Sequence, residues 1–188
     1  MDNYRRILSL DSAMAVVQFD KDGTQYQRKY FISYPDSVMV MKFTASKAGK
    51  QNLILSYCPN SEAKSHLKAD GNNGLVYTGI LNNNGMKFAF RIKAIHKGGT
   101  LKAEDDRLIV KDADEVVFLL TADTDYKMNF NPDFKDSKAY VGNDPEQTTQ
   151  AMMKQALQKG YDELYRNHEN DYTSLFNRVR LQLNPEEN

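Results

Sequence analysis

The sequence predicts a mainly β, antiparallel β-sandwich carrying a C-terminal helical segment. Three observations predict it. Between residues 4 and 124, short stretches rich in Val, Ile, Phe, Tyr and Thr recur with turn residues between them. Within that region Phe88, Phe90, Ile92 and Ala94 alternate with Lys87, Ala89, Arg91 and Lys93, the period of two of a strand. Beyond Asp123 the apolar spacing changes to three and four, the period of a helix.

The elements follow in order. Residues 4–10 and 13–19 read as strands, and Asp22-Gly23 supplies a tight hairpin turn before a strand over 24–33. Pro35, within Tyr34-Pro35-Asp36, stops that ladder. Residues 38–45 are a near-continuous apolar run, predicting a strand covered on both faces. Shorter strands are expected over 52–57 and 74–81, with a polar stretch between them. Asn82-Asn83-Asn84-Gly85 is the clearest hairpin turn, and strands over 87–94, 108–110 and 116–122 complete the series. So many strands require a second sheet, because a lone sheet would leave one face bare.

The predicted organisation is a β-sandwich over 1–124, a surface loop over 125–143, a helical linker segment over 144–178, and a terminal strand and tail over 179–188. Asp144-Pro145-Glu146-Gln147 starts the helix with an N-cap Asp, Pro at the first helical position and a capping-box Gln. Met152, Met153, Ala156 and Leu157 should face inward as far as Lys159, where Gly160 ends the helix. A second helical stripe of Tyr161, Leu164, Tyr165, His168, Tyr172, Leu175 and Phe176 should pack on the sandwich. Val179, Leu181 and Leu183 alternate with Arg180 and Gln182, which reads as a closing strand.

The 188 residues carry 25 Lys plus Arg against 25 Asp plus Glu. That zero balance argues against a nucleic-acid or membrane-surface partner. No apolar run approaches the roughly 20 residues of a spanning helix. Asp2, Arg5, Arg6 and Asp11 interrupt any signal-peptide core. The single Cys58, beside Pro59 and without a neighbouring base, excludes a disulfide framework and reads as an inert thiol.

No candidate for chemistry survives weighing. His66, His96 and His168 lack a second ligand at metal spacing and read as structural or surface histidines. Asp123, Asp125, Asn129, Asn131, Asp133 and Asp136 suggest calcium. Yet Met128 and Phe134 stand where an EF-hand needs Gly and Glu, so a solvated loop is expected. Glu104, Asp105, Asp106, Asp112, Asp114 and Glu115 fall at turns and strand starts, ordinary places for solvated charge rather than a glycosidase pair. Tyr26, Tyr30, Tyr34, Tyr57 and Tyr77 lie in or beside strands, where packing is the expected role, and the absence of Trp weakens a sugar platform. The expectation is therefore no catalytic residue, no cofactor-binding residue and no metal ligand in this chain.

Three motifs carry a resemblance. They are Y-R-R-x-L-x-L-D-x-A over residues 4–13, R-x-x-F-x-S-x-P-D over 28–36, and H-x-x-D-Y-x-x-L-F-x-R-V over 168–179. In order and spacing they resemble the N-terminal β domain of glycoside hydrolase family 95, the α-L-fucosidases, with Lys29 where that family commonly has Glu. The strand at 119–126 is similar too.

The resemblance implies a super-sandwich, helical linkers, and an (α/α)6 barrel that cleaves α-L-fucosyl linkages with inversion. It implies that this chain is the latter part of the β domain, non-catalytic and packed against that barrel, with Trp-bearing strands ahead of it. A periplasmic or extracellular location also follows from the resemblance alone. The runner-up is a free-standing carbohydrate-binding module, and a self-sufficient hydrolase ranks lowest because no acid/base pair emerges. A sandwich short of strands should expose apolar surface, so self-association as a dimer near neutral pH is expected.

Overall fold

The computed structural model describes residues 1–58, 61–104, 106–133 and 135–181. Eleven strands precede one long helix: β1 (Asp2–Ser9), β2 (Met14–Lys21), β3 (Thr24–Ser33), β4 (Val38–Ala45), β5 (Gln51–Ser56), β6 (Ala63–Ala69), β7 (Gly74–Leu81), β8 (Lys87–Lys97), β9 (Thr100–Glu104), β10 (Arg107–Ala113), β11 (Glu115–Thr124) and α1 (Pro145–Phe176). All strand pairs are antiparallel. Eight strands form one sheet in the order β1-β2-β3-β4-β11-β8-β7-β6, and three form another in the order β5-β10-β9. The expected sandwich is present, with α1 as a third layer.

Alternation along β4 and β11 builds two cores from one sheet. Val38, Val40, Val117 and Leu119 point to the helix and meet Met153, Ala156 and Leu164. On the opposite face Met41, Phe43, Val116 and Phe118 meet Leu108 and Val110 of the small sheet. The apolar run of β4 is thus covered on both faces, as its composition demands.

Asp22 and Gly23 take φ of 51° and 64°, which the β2–β3 hairpin turn requires. Two strands were not legible. β6 reads AKSHLKA and β9 reads TLKAE, too polar to signal a strand. Each forms because a neighbour, β7 or β10, offers it an open edge.

Asp144 caps α1, its Oδ1 accepting from the Glu146 amide at 2.9 Å, and Pro145 occupies the first turn. The first helical segment of α1 ends at Gly160 as the sequence signals, because φ 72° and ψ 171° are not helical, and a second segment follows beyond the kink. Met153 and Ala156 are buried as expected, whereas Leu157 is exposed, because the inward arc runs through Thr149, Met153 and Ala156. The stripe continues with Leu164 and His168 buried and Tyr161 and Tyr165 packed on the core. The closing strand needs correcting. Residues 179–181 belong to no strand, and Val179 and Leu181 are exposed. Leu183 lies outside the described residues. Among the described residues no helix is long and apolar enough to cross a membrane.

Candidate functional site

The three sequence motifs converge on one place, where the bent helix meets the β1–β2 and β3–β4 turns. His168 sits over the sheet with its ring stacked on Phe31 at 5.0 Å between centroids. Its Nδ1 faces the Ile32 carbonyl at 3.0 Å, and its Nε2 faces the Ser12 and Ala13 carbonyls at 3.1 and 3.2 Å. One turn on, the Tyr172 hydroxyl donates to the Leu10 carbonyl.

Asp36 completes the clasp. It accepts from the Ser33 hydroxyl, from Lys159 Nζ and from Asn167 Nδ2, so it binds helix residues on both sides of the Gly160 bend. Burial alone would raise the Asp36 pKa, but hydrogen bonds from Lys159, Ser33 and Asn167 outweigh it and hold the carboxyl below its ordinary value. A turn aspartate after proline gave no sign of this role, because its partners lie more than 120 residues away.

A second cluster joins Asp70 to Arg91 and Lys93 beneath the helix side of the sheet. Burial pushes the Asp70 pKa up, and the two cations pull it net below the usual carboxylate range. In both clusters the carboxylate is ion-paired, while the buried Arg91 Nε has no hydrogen-bond partner among the described residues.

The other candidates are held elsewhere. His66 lies on the edge strand β6, and His96 Nδ1 lies 2.8 Å from the Gly98 carbonyl. In the acidic loop Asn129, Asp133 and Asp136 bind the loop's own backbone, and Asp125 reaches back to β8. Asp125 takes the Lys87 amide, Asn129 the Asn131 amide, Asp133 the Lys135 amide and Asp136 the Lys138 amide. Those oxygens fold the loop, and no group of His, Cys, Asp or Glu is placed to hold a metal among the described residues. Asp106 pairs with Arg107 at 2.8 Å, and Asp114 accepts from the Gly49 amide at 2.7 Å. Glu115 lies between Lys42 and Lys97, at 2.8 and 3.2 Å. Asp105 lies outside the described residues. Cys58 is exposed. Tyr57 and Tyr77 pack ring to ring at 4.3 Å, Tyr26 stacks on Phe19 at 5.0 Å, and Tyr34 stands exposed.

Open grooves border both faces of β1–β3. On the face that carries α1, Arg5, Gln18, Gln27 and Thr44 line up in register across four strands and border a groove of about 600 Å³. On the other face Tyr4, Leu8, Val17, Phe19, Arg28 and Tyr30 line a groove of about 610 Å³.

Residues 1–129 match the model of the glycosyl hydrolase family 65 N-terminal domain. The chain belongs to that family. This family 65 N-terminal domain is 29% identical over 193 aligned positions to "Probable alpha-fucosidase A" of Aspergillus niger, covering 97% of the chain and 24% of the relative. It is 27% identical over 205 positions to "Alpha-L-fucosidase 2" of Arabidopsis thaliana, covering 96% of the chain and again 24% of the relative. Its fold is similar to that of a putative kojibiose phosphorylase from the human microbiome, with a TM-score of 0.60 at 9% identity over 93% of this chain and 25% of that one. The domain thus spans about a quarter of the relatives it matches. The relatives of this family 65 N-terminal domain thus include α-fucosidases.

Proposed function

We propose that this chain is a non-catalytic part of the β domain of a family 95 α-L-fucosidase-like enzyme. Hydrolysis of α-L-fucosyl linkages then takes place in an (α/α)6 barrel outside these residues. There one carboxylic acid protonates the leaving oxygen while an activated water attacks the opposite face, with inversion.

The observation that carries this reading is the uncovered face of β1–β3. Leu8, Ala15 and Tyr30 lie in one row with Met41 and Phe118, on the side that β5, β10 and β9 cover farther along the sheet. Over β1–β3 that cover is missing, and Leu8 and Ile32 are 68% and 66% exposed. The outer edges differ in the same sense. β1 carries Arg5 and Arg6, β6 carries Lys64 and Lys68, and β9 carries Lys102, charges that discourage strand addition. β5 reads QNLILS and has none. An apolar face beside an unguarded edge fits further polypeptide of the same enzyme. The engaged carboxylates, Asp36, Asp70 and Glu115, fit a domain without its own acid/base pair. The same reading has the enzyme exported to the periplasm or beyond, and has the isolated chain pair with itself through the open face.

The test is to extend the reading frame on both sides and assay the full product on 2′-fucosyllactose, reading the first anomer released by proton NMR. The expected result is inverted fucose from the full product and none from residues 1–188 alone. Fucose released by the isolated chain, or a frame closed tightly at both ends, would overturn it. A free-standing carbohydrate-binding module is the second reading, favoured by the amide-lined groove on the opposite face.

A further inference from the structure

We propose that the helix-side groove of β1–β4 binds a neutral oligosaccharide, laid across the strands along the row Arg5, Gln18, Gln27 and Thr44. Directly opposed residues of antiparallel neighbours share a face, so the register Arg5–Gln18–Gln27–Thr44 places the four side chains on one line. Neighbouring strands lie about 4.8 Å apart, so consecutive amides are set at close to the length of one pyranose ring. Gln18, Gln27 and Thr44 are half-buried, yet none of the four side chains bonds to another described residue. Several other polar groups on this face are engaged, Asp20 by the Asn3 amide and Glu115 by Lys42. The row is thus a set of oriented donors and acceptors left open.

The chemistry selects the ligand class. A glutamine amide offers a carbonyl acceptor and an NH2 donor side by side, and a guanidinium offers a donor fork. Vicinal hydroxyls, each both donor and acceptor, match that pattern, whereas a phosphate or carboxylate ligand would leave the amide carbonyls facing anions. The lining charge agrees, because Arg5 is balanced by Asp20. At its inner end the groove meets a small recess of about 50 Å³ formed by Gln27, Lys29, Lys42, Thr44 and Tyr161. Burial pushes the Tyr161 pKa up to about 12, so its hydroxyl stays a donor there.

The site lies on the face opposite the one proposed to meet the rest of the enzyme. It draws on the fucosidase reading only for the choice of probe. Titration of 2′-fucosyllactose, lactose and cellotetraose into the nitrogen-15-labelled chain, up to about 10 mM, would fill even a site of millimolar Kd. The expected result is shifts confined to amides around Gln18, Gln27 and Thr44 for at least one sugar. The double variant Gln18→Ala, Gln27→Ala should weaken that sugar at least tenfold with its melting temperature unchanged. No shift with any of the three sugars, or the same affinity in the double variant, overturns the proposal. Either failure is distinct from that of the fucosidase reading, which is decided by fucose release from the extended product.

Discussion

Replacing Asp36 with alanine cuts the clasp at its centre. The Asp36 side chain is 1% exposed and receives Ser33, Asn167 and Lys159. The fully buried Ser33 hydroxyl loses its acceptor, and an orphaned buried polar group costs about 1–3 kcal/mol. Asn167 loses a hydrogen bond to a charged group, worth about 1.5–3 kcal/mol. Lys159 contributes nothing to the estimate, because its amine reaches water once released. The contributions share one carboxylate and do not add in full, so Asp36→Ala should cost about 3 kcal/mol. In a chain of this size that lowers Tm by roughly 6–12 °C.

Urea unfolding followed by circular dichroism measures the difference, and pH checks its origin. The folded-state pKa of Asp36 is depressed, so its contribution is fully present above the unfolded value, about 3.9. It is lost as pH falls through the lower folded value. Wild type and variant should therefore differ most at neutral pH and converge below about pH 4. A variant within about 0.5 kcal/mol of wild type at pH 7 would refute the reasoning. So would a gap that stays constant down to acid.

Three further outcomes are expected. Gly160 has no atom within 4 Å of an added Cβ, but its φ of 72° with ψ of 171° is tolerated by glycine almost alone. Gly160→Ala should cost about 1–3 kcal/mol in urea unfolding, and an unchanged midpoint would mean that the bend does not depend on glycine. At Gly79 a Cβ would lie 2.4 Å from the Phe88 ring. Gly79→Ala should cost about 1–3 kcal/mol, and adding Phe88→Ala should recover part of it in a double-mutant cycle. Additive losses would refute that contact. The isolated chain should run as a dimer by light scattering at roughly tens of micromolar near pH 7. Ile54→Lys, which places a charge on the bare β5 edge, should shift it toward monomer, and a monomeric wild type would count against the open-face argument.

Most strands were legible because their signals are local. Asp22-Gly23 and the apolar run of β4 announce themselves within a few residues. β6 and β9 were not legible because edge strands need few apolar residues, and their partners decide that they form. The alternation of Val179 and Leu181 misled because a period of two is a local pattern, and residues 179–181 form no strand. The role of Asp36 was hidden deeper. Pro35 and Asp36 look like turn punctuation, and only the tertiary fold brings Lys159 and Asn167 to them. The motifs fall on the join between helix and sheet.

That join reaches across 162 residues, from Tyr172 to Leu10. The β1–β3 strands therefore wait for more than a hundred further residues before their helix-side cover exists. Until α1 emerges, Phe31, Val38 and Val40 stand bare on a sheet that can already pair. Contacts this distant in sequence close slowly. Biosynthesis of this domain should accordingly depend on chaperones for as long as translation of the helix takes, and a ribosome stalled before residue 145 should leave a nascent chain prone to aggregate.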